Sequence, residues 1–148
     1  MGTKILDILA GIDTVAVKGS PDTEISGMTF DSRNCTPGML FVAVRGVEAD
    51  GHKYIGTAVR NGAVAVICEE EPSEPLPGSC TLIVVKDSHS ALGMAASNFY
   101  GNPSSKLNLV GITGTNGKTT TVTLLYNLFM RLGYCCGLIS TIANYIGT

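Results

Sequence analysis

One segment constrains the fold more than any other: Leu109-Val110-Gly111-Ile112-Thr113-Gly114-Thr115-Asn116-Gly117-Lys118-Thr119-Thr120-Thr121. An apolar run enters a glycine-rich turn that carries a lysine, and a helix-forming sequence follows at once. Passing from strand to helix in so few residues is a step of α/β architecture. The turn also has chemical consequences. Glycines let successive backbone N–H groups turn inward around an anion, Lys118 adds a mobile positive charge, and the Thr119 hydroxyl can reach a phosphate-bound Mg²⁺. The pattern reads as a nucleoside triphosphate site, with Gly114, Thr115, Asn116, Gly117, Lys118, Thr119 and Thr120 around the phosphates. The strict P-loop spacing is not met, because Ile112 stands where the first glycine belongs. The plain alternative is a tight strand-to-helix turn whose lysine is only solvated.

The 148 residues suit one ordinary domain, or a small domain with part of another, and a 45% hydrophobic content is enough for a core. A formal charge of −2, with no cluster of lysine or arginine, argues against a protein that holds nucleic acid by neutralising phosphates. Five cysteines, an odd number without CxxC spacing, fit free thiols packed as small hydrophobes in a reducing compartment. Cys135-Cys136 reads as an incidental vicinal pair on a strand, and two scattered histidines do not complete a zinc site. No basic-plus-apolar leader opens the chain and no run approaches ~20 apolar residues, so the expectation is a cytoplasmic protein without membrane insertion.

Along the chain, residues 4–11 suit a short helix, and a polar, turn-rich interval leads into 25–30. Met39 to Val44 reads as a buried strand, residues 52–61 as a helix, and Ala63 to Cys68 as the next strand, a strand–helix–strand unit. The acidic stretch from Glu69 to Ser79, broken by Pro72, Pro75 and Pro77, is a surface loop. Thr81 to Val85 is a further strand, and Asp87 is an N-cap for a helix through Tyr100. The breaker Gly101-Asn102-Pro103-Ser104-Ser105 precedes a buried strand at 107–112, which places a domain boundary near residue 104. The helix after the glycine-rich turn should bury Val122, Leu125, Leu128, Phe129 and Leu132 and end at Gly133.

Two signatures in one chain resemble the Mur ligases. The first is Thr29-Phe30-Asp31-Ser32-Arg33, then Pro37 to Val44, Gly46, Ala49-Asp50-Gly51-His52, Tyr54-Ile55 and Gly62-Ala63; the second runs from Gly111 to Thr120. The family's phosphate loop carries the same offset glycine. Within the family, Thr115-Asn116 is similar to the branch that forms the muramyl tripeptide. The sister ligase that adds the terminal dipeptide looks similar around Asp-Ser-Arg, and folylpolyglutamate synthase shares the phosphate loop.

The resemblance implies an α/β fold in two pieces: a Rossmann-like substrate domain at 1–104, then the start of a P-loop ATPase domain at 105–148. It implies a two-step reaction in which ATP, with Mg²⁺, phosphorylates the D-glutamate carboxylate of UDP-N-acetylmuramoyl-L-alanyl-D-glutamate. The amine of a diamino acid, meso-diaminopimelate or L-lysine, then attacks the acyl phosphate. By position, Phe30, Ser32, Val47, Glu48 and Ala49 would contact the UDP end of the substrate. Lys118 would be catalytic and Thr119 a Mg²⁺ ligand. Family members are three-domain enzymes several times longer, so the resemblance also implies an amino-terminal piece, inactive as a ligase alone. The sister ligase that adds the terminal dipeptide, or a non-catalytic UDP-sugar or nucleotide-binding module, is the alternative, and the oligomeric state is open.

Plainer roles remain for several of these residues. Asp31-Ser32 can cap a turn, Arg33 can pair with Asp31 or Asp50, Glu48 can be merely solvated, and His52 can simply start a helix. A loop bounded by Gly46 and Gly51 can bring backbone N–H groups close to a ligand.

Overall fold

The computed structural model describes residues 2–46 and 49–147. It divides into two compact units, residues 1–107 and 108–148. The first opens with β1 (Thr3–Lys4) and a single helical turn, α1 (Ile5–Ile8), and continues through β2 (Thr14–Lys18), β3 (Glu24–Ile25) and β4 (Gly27–Thr29). Then come β5 (Met39–Val42), α2 (Ile55–Arg60), β6 (Ala65–Cys68), β7 (Thr81–Val85) and α3 (Ser88–Phe99). β1 and β3 pair as a small antiparallel ribbon, and the other strands form one sheet in the order β2-β7-β6-β5-β4. β4 to β7 are mutually parallel, while β2 closes one edge antiparallel to β7.

The period of two along the strands builds both faces of this sheet. Leu40, Val42, Ala65, Ile67, Ile83 and Val85 pack with Ile5 and Ile8 of α1 and with Ala91 and Ala95 of α3. Phe41, Val66, Cys68, Leu82 and Val84 pack on the other face with Ile55 and Ala58 of α2 and with Cys35 and Cys80. The central strands β6 and β7 are buried along their whole length, as expected where helices cover both faces. Each fully buried Ile, Leu or Phe contributes about 1.5–3 kcal/mol by leaving water. α3 forms because its twelve residues hold no β-branched side chain and Asp87 caps its first turn, accepting from the N–H groups of His89 and Ser90. This is the α/β, Rossmann-like arrangement expected of the chain.

β2 is a departure from the sequence reading, which placed only a turn-rich interval there. Its valines face outward, with Val15 61% and Val17 40% exposed, so the alternation carries no buried apolar stripe; Ala16 is the half-buried residue. A bulge between Thr14 and Ala16 further blurs the pattern.

The second unit holds α4 (Lys118–Arg131) and an antiparallel pair, β8 (Gly137–Ile139) and β9 (Asn144–Ile146). The buried strand expected at 107–112 is not formed; Leu107, Leu109 and Val110 are all more than 60% exposed. A strand exists through its ladder, and among the described residues no neighbour pairs with this one. For the same reason α4 buries nothing: Val122 and Leu125 are half-buried, and Leu128, Phe129 and Leu132 are exposed. Apolar periodicity marks the face a helix is suited to bury, and burial also needs an opposing layer. Cys135 and Cys136 precede β8 rather than lying on a strand, and Cys135 is exposed. Cys35, Cys68 and Cys80 are buried, and burial pushes the Cys68 thiol up to about 11.

Candidate functional site

Because β4 to β7 run the same way, their carboxyl ends lie on one edge of the sheet, where open α/β sheets bind ligands. The segments leaving that edge are Phe30 to Arg33, the loop from Arg45 to Asp50, Glu69-Glu70, and Asp87 to His89. Phe30, 65% exposed, follows β4 directly. Ser32 opens a 3-10 turn, Ser32–Asn34, and is 7% exposed, with its carbonyl accepting from Asn61 Nδ2 at 2.9 Å. Ala49 follows β5 and is exposed. Val47 and Glu48 lie outside the described residues. Phe30, Ser32 and Ala49 thus belong to two adjacent strand exits.

The plainer roles are also real. Asp31 caps the 3-10 turn by accepting from the Arg33 N–H at 3.0 Å, and its carboxylate takes the Arg33 guanidinium at 2.7 and 2.9 Å. These bonds hold the Asp31 carboxyl down at about 2. Arg33 therefore pairs with Asp31 rather than Asp50. Asp50 instead faces His52, which donates its backbone N–H at 3.0 Å and meets the carboxylate through Nδ1 at 2.6 Å. Within the loop, the N–H groups of Gly46 and Gly51 themselves are engaged internally. They donate to Ala49 O at 3.0 Å and Val44 O at 2.9 Å, closing the loop on itself.

A polar network ties these exits together, and sequence reasoning missed most of it. Arg45 lies 3.9 Å from both Asp50 and Glu69 and 3.0 Å from Glu70. Glu69 accepts from the Ser88 N–H at 2.9 Å and the Ser88 hydroxyl at 2.8 Å. His89 Nε2 meets Arg45 O at 3.1 Å. The available signal was positional: Arg45 and Glu69 each stand just beyond the last apolar residue of a parallel strand.

These contacts make a pH prediction. Asp31 is lowered by Arg33, Asp50 by the His52 backbone and ring, Glu69 by Ser88 and Asp87 by Ser90. A carboxyl held low in the folded state contributes stability above its unfolded value, and that stability is lost as pH falls through the folded value. The carboxyl contribution to the thermal stability of the chain should be fully present at neutrality and weaken from about pH 4 downward. The Asp31 part should disappear between 3.8 and about 2. NMR titration of the Asp31 carboxyl near 3.8 would show that its pairing with Arg33 is not maintained in solution.

In the second unit the glycine-rich turn delivers the chain into α4 at Lys118. Gly114 and Gly117 take positive φ, +148° and +77°, and a Cβ on Gly117 would meet nothing within 4 Å. Lys118 Nζ donates to the carbonyls of Gly114 and Thr115. The two long helices contrast at their N-termini. Carboxylates of Asp87 and Glu69 fill the first turn of α3, whereas no side chain caps α4. The open N–H groups, the helix dipole and a lysine four residues from Gly114 form a donor set suited to phosphate oxygens. Thr119, half-buried in the same turn, places a hydroxyl beside it. Among the described residues no group of three His, Cys, Asp or Glu side chains is placed to hold a metal, and no helix is long and apolar enough to cross a membrane.

The chain is thus an α/β protein in which a mostly parallel sheet with a polar strand-end network is followed along the sequence by a glycine-rich loop at a bare helix start. Residues 24–100 match the Mur ligase family, catalytic domain, and residues 112–148 match the Mur ligase middle domain. The chain belongs to the Mur ligase family. It is 54% identical over 143 residues to the UDP-N-acetylmuramoyl-L-alanyl-D-glutamate--2,6-diaminopimelate ligase of Cytophaga hutchinsonii and 55% identical over 143 residues to that of Bacteroides fragilis. Each alignment covers 97% of this chain and 29% of the relative, so the chain spans under a third of their length. Among solved structures, a ligase of the same name superposes with a TM-score of 0.73 at 26% identity over 99% of this chain and 29% of the other. The MurF ligase of Thermotoga maritima, solved in complex with ADP, gives 0.54 at 35% identity over 70% of this chain and 23% of the other.

Proposed function

We propose that this chain supplies the UDP-muramyl-binding part and the phosphate loop of an ATP-dependent ligase that joins 2,6-diaminopimelate to UDP-N-acetylmuramoyl-L-alanyl-D-glutamate. The observation that carries the reading is the contrast between the helix starts: α3 is sealed by carboxylates, and α4 is left open behind Gly114 to Gly117 with Lys118 beside it. The diamino acid follows the names of the relatives, which are diaminopimelate ligases.

In this reading Phe30, Ser32 and Ala49, with Val47 and Glu48, contact the uridine diphosphate end of the substrate. Gly114 to Thr120 hold the ATP phosphates. Lys118 leaves its loop carbonyls to neutralise charge that develops as the γ-phosphoryl group moves to the substrate carboxylate. The Thr119 hydroxyl would hold Mg²⁺ in part, and the ion would supply further charge neutralisation on the phosphates. The two substrate sets engage separate segments of chain, and the reaction depends on positioning them together.

Titration of the chain with UDP-N-acetylmuramoyl-L-alanyl-D-glutamate, followed by NMR, tests the assignment. Amides of residues 30–33 and 46–52 should shift, and Ser32→Ala should weaken binding by about 1 kcal/mol. No shift in these residues at millimolar ligand overturns the reading.

A further inference from the structure

The chain has two histidines, and both hold the base of one loop. His52 Nε2 accepts the backbone N–H of Glu69, at the end of β6, at 2.9 Å. An imidazole nitrogen that accepts carries no proton, so the ring proton sits on Nδ1 and is donated to Asp50 Oδ1 at 2.6 Å. His89, on the first turn of α3, meets Arg45 O at 3.1 Å through Nε2, and a carbonyl only accepts, so here Nε2 carries the proton. Between these attachments the loop base closes on itself: Arg45 bridges to Asp50 as an antiparallel pair, Gly46 N–H donates to Ala49 O and Gly51 N–H donates to Val44 O. His52 therefore ties the outgoing limb to β6, and His89 ties the incoming limb to α3.

We propose that His52 and His89 are positioning residues that fix the loop base, and with it Ala49, for binding of the uridine diphosphate end of the substrate. The proposal rests on the reading of Ala49 as a substrate contact. Neither ring is assigned any contact with the ligand. A strand exit with no regular structure beyond it has few backbone bonds to fix it, and side chains from neighbouring exits replace them. The two rings do so at the two limbs of the loop, one as acceptor and one as donor.

Conservative replacements separate this role from general structural support. A glutamine at 52 has an amide oxygen that can accept the Glu69 N–H, and a glutamine at 89 has an N–H that can donate to Arg45 O; alanine at either position does neither. Without ligand, amide hydrogen exchange at Gly46 and Gly51 should quicken in His52→Ala and His89→Ala and return toward wild type in His52→Gln and His89→Gln. With UDP-N-acetylmuramoyl-L-alanyl-D-glutamate, each alanine variant should bind about tenfold more weakly, with the glutamine variants recovering most of the loss. Unchanged exchange at Gly46 and Gly51 in both alanine variants overturns the positioning role whether or not ligand binds. Equal losses in alanine and glutamine variants, accompanied by a lower melting temperature, overturn it in favour of bulk structural support. Wild-type exchange behaviour as expected, but no binding of the muramyl nucleotide, overturns the proposal through the substrate reading on which it rests.

Discussion

In the ligase proposed for this chain, Lys118→Ala should lower turnover by about 10²-fold or more while leaving the melting temperature without nucleotide almost unchanged. The side chain is exposed, and its ammonium rests on the carbonyls of Gly114 and Thr115, so removing it from the empty loop forfeits at most about 1 kcal/mol. The same ammonium is the one cationic side chain from Gly111 to Thr121, at the start of a helix whose first N–H groups have no side-chain cap. In the proposed reaction, loss of that charge would act on the phosphoryl group in flight, where water does not replace it cheaply. Parallel measurements of single-turnover rate and thermal unfolding decide the matter. Normal turnover per folded molecule with a destabilised protein would show Lys118 to be structural, and the phosphate reading of the loop to be mistaken.

How much of this was legible in the sequence depended on where each residue's partners lay. β5, β6, β7 and α3 could be read directly, because their signals are local: continuous apolar runs for strands buried on both faces, and an Asp87 cap before an alanine-rich helix. β2 could not, because its valines face outward and its identity comes from pairing with β7, some seventy positions away. Residues 107–112 show the reverse error. Their composition is that of a strand, yet a strand needs a ladder and the described residues offer them none. The glycine-rich turn into α4 was legible because its shape resides in contiguous backbone, with positive φ at Gly114 and Gly117 and the helix starting at Lys118. The strand-end network was not, because Arg45, Asp50, Glu69 and Ser88 are polar residues of ordinary type whose significance comes from a shared sheet edge. His52 was read as a helix start, which it is, lying in the 3-10 turn Gly51–Tyr54. Its bond to Glu69 spans seventeen residues and has no local signature.

Gly51→Ala should destabilise the first unit by on the order of 2–3 kcal/mol and weaken binding of the muramyl nucleotide beyond what the lost stability explains. Gly51 sits where the loop returns to the end of β5, and a Cβ there would stand 2.7 Å from Val44 O, 2.8 Å from Val44 N and 3.2 Å from Ala43 C. All three are backbone atoms, and Ala43 is fully buried, so no flexible side chain can give way. The chain must move instead, which opens the Gly51 N–H bond to Val44 O and displaces Asp50 and His52 on either side. Gly93→Ala is the matched control. Gly93 is exposed within α3, a Cβ there would meet nothing within 4 Å, and alanine should stabilise the helix by about 0.5–1 kcal/mol. Urea unfolding of both variants, with titration of the muramyl nucleotide at urea concentrations below the transition, where both are folded, separates the two effects. If Gly51→Ala is as stable as wild type and binds equally well, the close approach of Gly51 to Val44 does not govern the loop. The strand-exit edge would then owe its shape to the ion pairs around Arg45, which a salt titration of the same binding would reveal because exposed pairs weaken as the screening length shortens.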